Sequence, residues 1–221
     1  EVLGPAAFLD AAETSGQMWE LDSLAFDLSC QAAAALANAV PDAPPVIACN
    51  FSGISLAQST LVDMVESTAA AYGVTPSQIC IEVTESAAFD AGPAAVDLLR
   101  DLHDRGYQLA LDDFGTGYSS LAHLRDLPIK SVKVDKSFIR ELTNGGSERA
   151  IAEAVVTLAH DLGLSVVAEG VETPDQLELA RELGFSLIQG WHYAPALPLS
   201  SILATWIGRE SERAQQILSP S

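Results

Sequence analysis

The amino-acid sequence predicts an α/β fold, arranged as a TIM-like (βα)8 barrel in which six βα units are recognisable. The first observation is that short apolar segments alternate with helical segments along the 221 residues, which is typical of parallel strand pairing. The second is that a polar residue stands at the end of each predicted strand. A closed barrel brings these strand ends to one mouth, whereas an open doubly wound sheet would scatter them along a line. The polar set therefore favours the barrel.

The helices are predicted from their end signals and from their alternation with strands. The first has a proline near its start and Gly16 after its end, and the second stops before Pro41. The predicted helices are Pro5–Thr14, Leu21–Val40, Leu56–Tyr72, Ala91–Arg105, Glu148–Leu162, Pro174–Leu183 and Ser200–Ile207.

The strands are predicted from short apolar or alternating segments. The third begins at Tyr107, alternates and then becomes continuously apolar, as a strand buried on both faces does. The predicted strands are Val46–Ser52, Gln78–Glu85, Tyr107–Asp112, Lys130–Asp135, Leu164–Glu169 and Ser186–Gly190.

The amino-acid composition limits the classes of function that this chain can have. The net charge is -19, with 30 acidic residues against 11 Lys and Arg, which argues against a nucleic-acid polymer as partner. A small phosphate ligand remains compatible, because a metal ion can supply local positive charge. Hydrophobic residues make up 48%, which is typical of a folded domain, and we assign residues 1–208 to it and 209–221 to a polar tail. We find no signal peptide and no run of 18 apolar residues, so we expect a cytoplasmic segment without membrane contact.

Two adjacent carboxylates, Asp112 and Asp113, end the third strand. Neighbouring strand residues point to opposite sides, so both can face one ligand only if the chain turns, and Gly115 and Gly117 can supply that turn. Two close carboxylates repel each other unless a divalent cation, a shared proton or solvent intervenes. The alternative is an acidic loop that caps the next helix.

Oxygen donors without histidine or cysteine form the candidate metal site. Singly, each has an ordinary explanation in a turn, an ion pair or a helix cap, but together they occupy successive strand ends. Such hard ligands suit Mg²⁺ or Mn²⁺ and disfavour zinc. The candidate ligands are Asn50, Glu82, Asp112, Asp113 and Glu169.

Lys133 lies inside a strand, between Val132 and Val134. A barrel has no edge strands, so this cation must face the mouth or the interior, where it needs anionic neighbours. It could stabilise charge on a phosphoryl oxygen or help to hold an attacking water.

The ten residues Asp112–Leu121, Asp-Asp-Phe-Gly-Thr-Gly-Tyr-Ser-Ser-Leu, resemble the signature loop of the EAL domain family, the bacterial cyclic di-GMP phosphodiesterases. The resemblance extends from about Pro5 to about Pro198. It implies two further barrel strands before the first predicted helix, the second carrying a Glu-Ala-Leu motif that this chain lacks. Glu1 is not counted as that motif's ligand, and a protein truncated at Glu1 is expected to be poorly soluble and inactive.

The resemblance also implies roles for individual residues. Asn50, Glu82, Asp112, Asp113 and Glu169 match the metal ligands. Lys133, Glu169 and Gln189 match catalytic positions, Asp135 and Gln189 match substrate-binding positions, and Glu85 with Thr84 matches the anchor of the loop at residues 115–120. Pro195 and Ala196 stand where the family usually has an Arg-Pro pair.

The activity implied by the resemblance is hydrolysis of cyclic di-GMP to linear pGpG, through two-metal activation of water by Mg²⁺ or Mn²⁺. The alternative is an inactive EAL-type domain that binds cyclic di-GMP or a protein partner. The resemblance further implies a homodimer and upstream sensory or GGDEF-type domains, and it is compatible with a membrane anchor elsewhere in the full-length protein.

Overall fold

A computed structural model describes residues 3–115, 127–144 and 146–205 of the chain. Glu1, loop residues 116–121 and the tail at residues 209–221, all named in the sequence predictions, lie outside these ranges. In the described part, no helix is long and apolar enough to cross a bilayer.

Six parallel strands form one sheet in the described part, and their spatial order is the same as their order in the sequence. A doubly wound sheet reverses its strand order at a switch point, and this sheet does not. It therefore curls as a half-barrel, as predicted. The strands are β1 (Ile47–Asn50), β2 (Ile79–Thr84), β3 (Gln108–Phe114), β4 (Ser131–Val134), β5 (Ser165–Ala168) and β6 (Leu187–Ile188).

Helices connect the strands and flank the sheet. They are α1 (Leu9–Thr14), α2 (Met18–Ala39), α3 (Gly53–Leu56), α4 (Leu61–Tyr72), α5 (Glu85–Asp90), α6 (Pro93–Asp104), α7 (Lys136–Glu141), α8 (Ser147–Asp161) and α9 (Pro174–Leu183). Residues 199–205 are also helical. The predicted helix Pro174–Leu183 is confirmed at both ends, because a capping box of Thr173 and Gln176 fixes its start and Gly184 at φ 90° ends it.

Two predicted helices differ from the structure, and two short helices were not predicted. The predicted helix Pro5–Thr14 is a short 3₁₀ helix at Pro5–Ala7 followed by α1. The predicted helix Leu56–Tyr72 begins only at Leu61, as α4, because Leu56 is the last residue of α3. The short helices α5 and α7 were not predicted, because each begins directly after a strand and is too brief to show helical periodicity. Side chains at the strand ends start them: Thr84 accepts a hydrogen bond from the Ala87 amide, and Asp135 accepts one from the Ser137 amide.

The core lies between the helices and the sheet. Leu99 of α6 and Leu109 of β3 have no exposed surface. In the second cluster of core residues, Ile139 of α7 and Ala152 of α8 are also fully buried. Truncation of such a leucine to alanine would cost about 2–5 kcal/mol. This packing gives the polar residues at the strand ends a rigid support.

Candidate functional site

A buried lysine surrounded by carboxylates forms the centre of the site. The Lys133 Nζ lies 2.7 Å from Glu82 Oε2, 3.0 Å from Asp112 Oδ1 and 2.7 Å from Glu169 Oε1. The lysine side chain is 5% exposed, and the three carboxylate side chains are 9%, 12% and 16% exposed. The predicted anionic neighbours of Lys133 are therefore present, and they come from different strands.

The register of the sheet brings these residues together. Lys133 lies on β4, between β3, which carries Asp112, and β5, which is followed by Glu169. The Glu169 amide donates to the Val134 carbonyl at 3.2 Å, so the ladder continues to this residue. Because the ends of parallel strands meet at one edge, side chains far apart in sequence converge there.

A β-bulge at the end of β3 lets two consecutive acids share one side of the sheet. The pairing of β3 with β4 shifts between Leu111 and Phe114, and Asp113 has a φ of 55°, in the left-handed region. The Asp113 amide donates to Asp112 Oδ1 at 3.0 Å. The turn was predicted at the glycines, but the structure begins it at Asp113 itself, before Gly115.

Carboxylate oxygens of Asp112, Asp113 and Glu169 all lie within 4.8 Å of one another. With Glu82 they are four acids around one lysine, so the site carries excess negative charge. Hard oxygen donors at this spacing fit Mg²⁺ or Mn²⁺. These three residues would hold an ion, with Glu82 and Asn50 at neighbouring strand ends.

Burial and mutual repulsion raise the pKa values of three acids of the site, Glu82, Asp113 and Glu169. Burial raises the pKa of Glu82 and of Glu169, and the charge of Lys133 opposes that rise in both. Burial and repulsion from Asp112 raise the pKa of Asp113. Burial alone would lower the pKa of Lys133, but attraction to Glu82 and hydrogen bonds with Glu169 and Glu82 raise it above its usual value. The lysine is therefore protonated at neutral pH.

These raised pKa values predict that metal binding weakens in acid. Glu82, Asp113 and Glu169 hold their protons to a higher pH than free carboxyl groups do, and a proton competes with a cation for the same oxygen. We expect the Mn²⁺ affinity to fall as the pH is lowered from neutral towards the ordinary carboxyl pKa of about 4, over a range in which unperturbed Asp and Glu remain largely ionised. Calorimetric titration of Mn²⁺ at several pH values checks this. A constant affinity across that range would contradict it.

The remaining candidates lie around this cluster. Asn50 is exposed at the end of β1 and is paired in register with Glu82. The Gln189 amide donates to Ala168 at 2.8 Å, so Gln189 follows β6 beside the segment that carries Glu169. Asp135 caps α7, and its charge contributes to the raised pKa of Asp113.

The predicted loop anchors stand at the start of α5. Thr84 is paired with Asp112 across β2 and β3, and Glu85 is the first residue of the helix rather than the end of the strand. The loop that they would anchor lies outside the described residues after Gly115. At that glycine an added Cβ would lie 3.0 Å from the Phe138 ring. The anchoring role stays a prediction.

A cavity of about 810 Å³ lies beside the strand ends. Its lining includes Asn50 and Thr84 from β1 and β2, and Asp22 from α2. This volume is in the range of pockets that hold small organic ligands.

Sequence reasoning missed Asp22. This acid is 7% exposed and lies on the buried face of α2 with Phe26, Cys30 and Ala33, at helical spacing. A charged residue in line with apolar core positions needs hydrogen-bond donors, so the helical periodicity contained a signal for it.

A family model and similar sequences both relate this chain to proteins of cyclic di-GMP metabolism. The EAL domain family model matches residues 1–196. The cyclic di-GMP phosphodiesterase NbdA of Pseudomonas aeruginosa is 38% identical over 201 residues, which cover 91% of this chain and 26% of that protein. The bifunctional diguanylate cyclase/cyclic di-GMP phosphodiesterase MucR of the same organism is 35% identical over 204 residues, 92% of this chain and 30% of that protein. The chain thus spans under a third of the length of these relatives.

Solved structures share the fold. The PaMucR phosphodiesterase in complex with c-di-GMP has a TM-score of 0.86 at 35% identity, covering 90% of this chain and 81% of that one. A manganese/cy-diGMP complex of Klebsiella pneumoniae BlrP1 has a TM-score of 0.66 at 36% identity, covering 75% of this chain and 43% of that one. The match of the family model across nearly the whole chain and the shared half-barrel show that the chain belongs to the EAL domain family.

Proposed function

We propose that the full-length protein, to which this chain contributes the EAL domain, hydrolyses cyclic di-GMP to linear pGpG in a reaction that requires Mg²⁺ or Mn²⁺. The observation that carries the proposal is the convergence of Asp112, Asp113 and Glu169 beside the buried Lys133, at the strand ends of an EAL domain. Relatives named as cyclic di-GMP phosphodiesterases support the substrate. The similar BlrP1 structure, described as a manganese/cy-diGMP complex, supports the metal.

Lys133 organises the site. Its three short contacts fix the carboxylates of Glu82, Asp112 and Glu169 in one arrangement. The lysine charge thereby offsets the repulsion between these like charges before any metal ion binds. A bound pair of divalent ions would polarise the phosphodiester and lower the pKa of a water. The Lys133 ammonium would then hold this water or stabilise charge that develops on a phosphoryl oxygen.

Glu169 and Gln189 flank the position of attack in this proposal. Glu169 would hold a metal ion and could accept the proton of the attacking water, since its carboxylate is partly buried and only one of its oxygens contacts Lys133. Gln189, which is exposed next to it, offers an amide to the water and the substrate. Asp135 contacts the substrate, and Thr84 with Glu85 anchors the loop after Gly115.

The wider setting is also part of the proposal. We assign residues 1–208 to the phosphodiesterase domain and 209–221 to a tail. The domain works as a homodimer in the cytoplasm, downstream of sensory or GGDEF-type domains in the full-length protein. Sedimentation velocity of the full-length protein checks the dimer.

The test of the proposed function is metal removal. We expect full-length protein treated with EDTA to lose hydrolysis of cyclic di-GMP, and Mg²⁺ or Mn²⁺ to restore it, because all candidate ligands are oxygen donors. Chromatography identifies pGpG as the product. Asp113→Asn should weaken the restoration, while Asp175→Asn on the exposed first turn of α9 should not change it. Undiminished turnover without metal would contradict the proposal.

A further inference from the structure

Asp22, on helix α2, accepts hydrogen bonds from the segment that follows Asn50. Its Oδ2 accepts hydrogen bonds from the Ser52 amide at 2.8 Å, the Ser52 hydroxyl at 2.7 Å and the Ser55 hydroxyl at 2.7 Å. The carboxylate is buried, and Ser55 has no exposed surface. Hydrogen bonds to a buried anion are short and strong, so this contact defines the path of the chain from β1 into α3.

Asn50 stands two residues before the segment that Asp22 holds. On its other side, the Phe51 amide donates to the Glu82 carbonyl at 2.9 Å. The backbone around Asn50 is therefore fixed at two points, one on β2 and one on α2. The Asn50 side chain itself is exposed and lines the cavity beside the strand ends, so these backbone contacts set its position.

We propose that Asp22 is a positioning residue for Asn50, which it holds in place as a metal ligand through Ser52. The proposal rests on the proposed function, because it takes Asn50 as a ligand of Mg²⁺ or Mn²⁺. Asp22 binds neither metal nor substrate in this role. Residues that orient metal ligands in this way commonly change metal affinity by about 10–100-fold when they are replaced.

Direct Mn²⁺ binding is the readout, because it separates the site from catalysis. Electron paramagnetic resonance of free Mn²⁺ gives the affinity of the full-length protein without substrate. We expect Asp22→Ala to weaken Mn²⁺ binding about 10–100-fold. Asp22→Asn keeps one acceptor oxygen and should lose less. Asp27→Ala is the matched control, since Asp27 lies on the same helix, accepts a hydrogen bond from Tyr72 instead and should leave Mn²⁺ binding unchanged.

A double-mutant cycle with Asn50 distinguishes positioning from a general loss of structure. Asn50→Ala alone should weaken Mn²⁺ binding, and adding Asp22→Ala in that background should have little further effect. If Asp22→Ala does not fold, Ser52→Ala removes one of the three donors and should give a smaller loss that also disappears in the Asn50→Ala background.

The binding measurements test separately the role of Asp22, its action through Asn50, and Asn50 as a metal ligand. Weakened binding in Asn50→Ala together with unchanged binding in Asp22→Ala overturns the role of Asp22 and leaves the metal site intact. Equal losses from Asp22→Ala in both backgrounds overturn positioning through Asn50. Unchanged binding in Asn50→Ala removes Asn50 as a ligand and overturns the inference with it. Metal-dependent hydrolysis is tested separately, by EDTA treatment, so that its failure is distinguishable from these.

Discussion

Lys133→Met is expected to destabilise the metal-free protein by about 3–5 kcal/mol and to lower turnover at least about 100-fold. The Lys133 ammonium contacts Glu82, Asp112 and Glu169 at 3.0 Å or less. Methionine fills a similar volume but carries no charge, so three partly buried carboxylates would lose their shared cation. The loss of turnover has a second source, since the ammonium group that would support the attacking water or a phosphoryl oxygen is then absent.

Metal should restore part of the stability but not the turnover of this variant. A divalent ion that binds the folded state neutralises the same carboxylates and shifts the folding equilibrium by mass action. Urea unfolding in EDTA and in Mn²⁺, with the rate measured in Mn²⁺, separates the two effects. Lys130→Met is the matched control, because Lys130 is exposed just before β4. If both variants unfold at the same urea concentration in EDTA, Lys133 does not hold the acids together.

The sequence allowed prediction of the sheet and most of the cluster for a physical reason. In a parallel α/β fold, position at the end of a strand determines position in space, so the residue type at each end is informative. Glu82, Asp112 and Glu169 could be placed at one mouth without knowledge of any contact. Lys133 could be placed there because a charged residue inside a barrel strand has few other options.

The parts that could not be predicted depend on contacts rather than on position. The bulge at Asp113 arises where the pairing of β3 with β4 shifts, and no local signal other than the nearby glycines marks it. The hydrogen bond from the Ser52 amide to Asp22 joins two segments that are 30 residues apart in the sequence. Asp22 lies on helix α2, so the rule that strand ends converge does not apply to it. Helices α5 and α7 depend on caps at strand ends, which alternation alone does not show.

Gly190 is expected to be the most sensitive glycine of the site, because a backbone passes directly over it. A Cβ at this position would overlap the carbonyl oxygen and the nitrogen of Val171. Backbone atoms cannot rotate away as a side chain can. The Val171 amide donates to the Gln189 carbonyl at 3.1 Å, and the His192 amide donates to the Val171 carbonyl at 2.9 Å. An added methyl group would separate these two segments and break both hydrogen bonds.

Gly190→Ala should therefore lower turnover by about 100-fold or more, since a displacement of about 1 Å can have that effect on a reacting geometry. Gln189 precedes this contact and Glu169 lies two residues before Val171, so both would move. Overpacking should also cost about 1–3 kcal/mol of unfolding free energy. Gly73→Ala is the matched control: Gly73 has a φ of 67° but open space around it, and its variant should lose about 1 kcal/mol with unchanged turnover. Wild-type turnover in a folded Gly190→Ala variant would show that the contact with Val171 does not position Gln189 and Glu169 for catalysis.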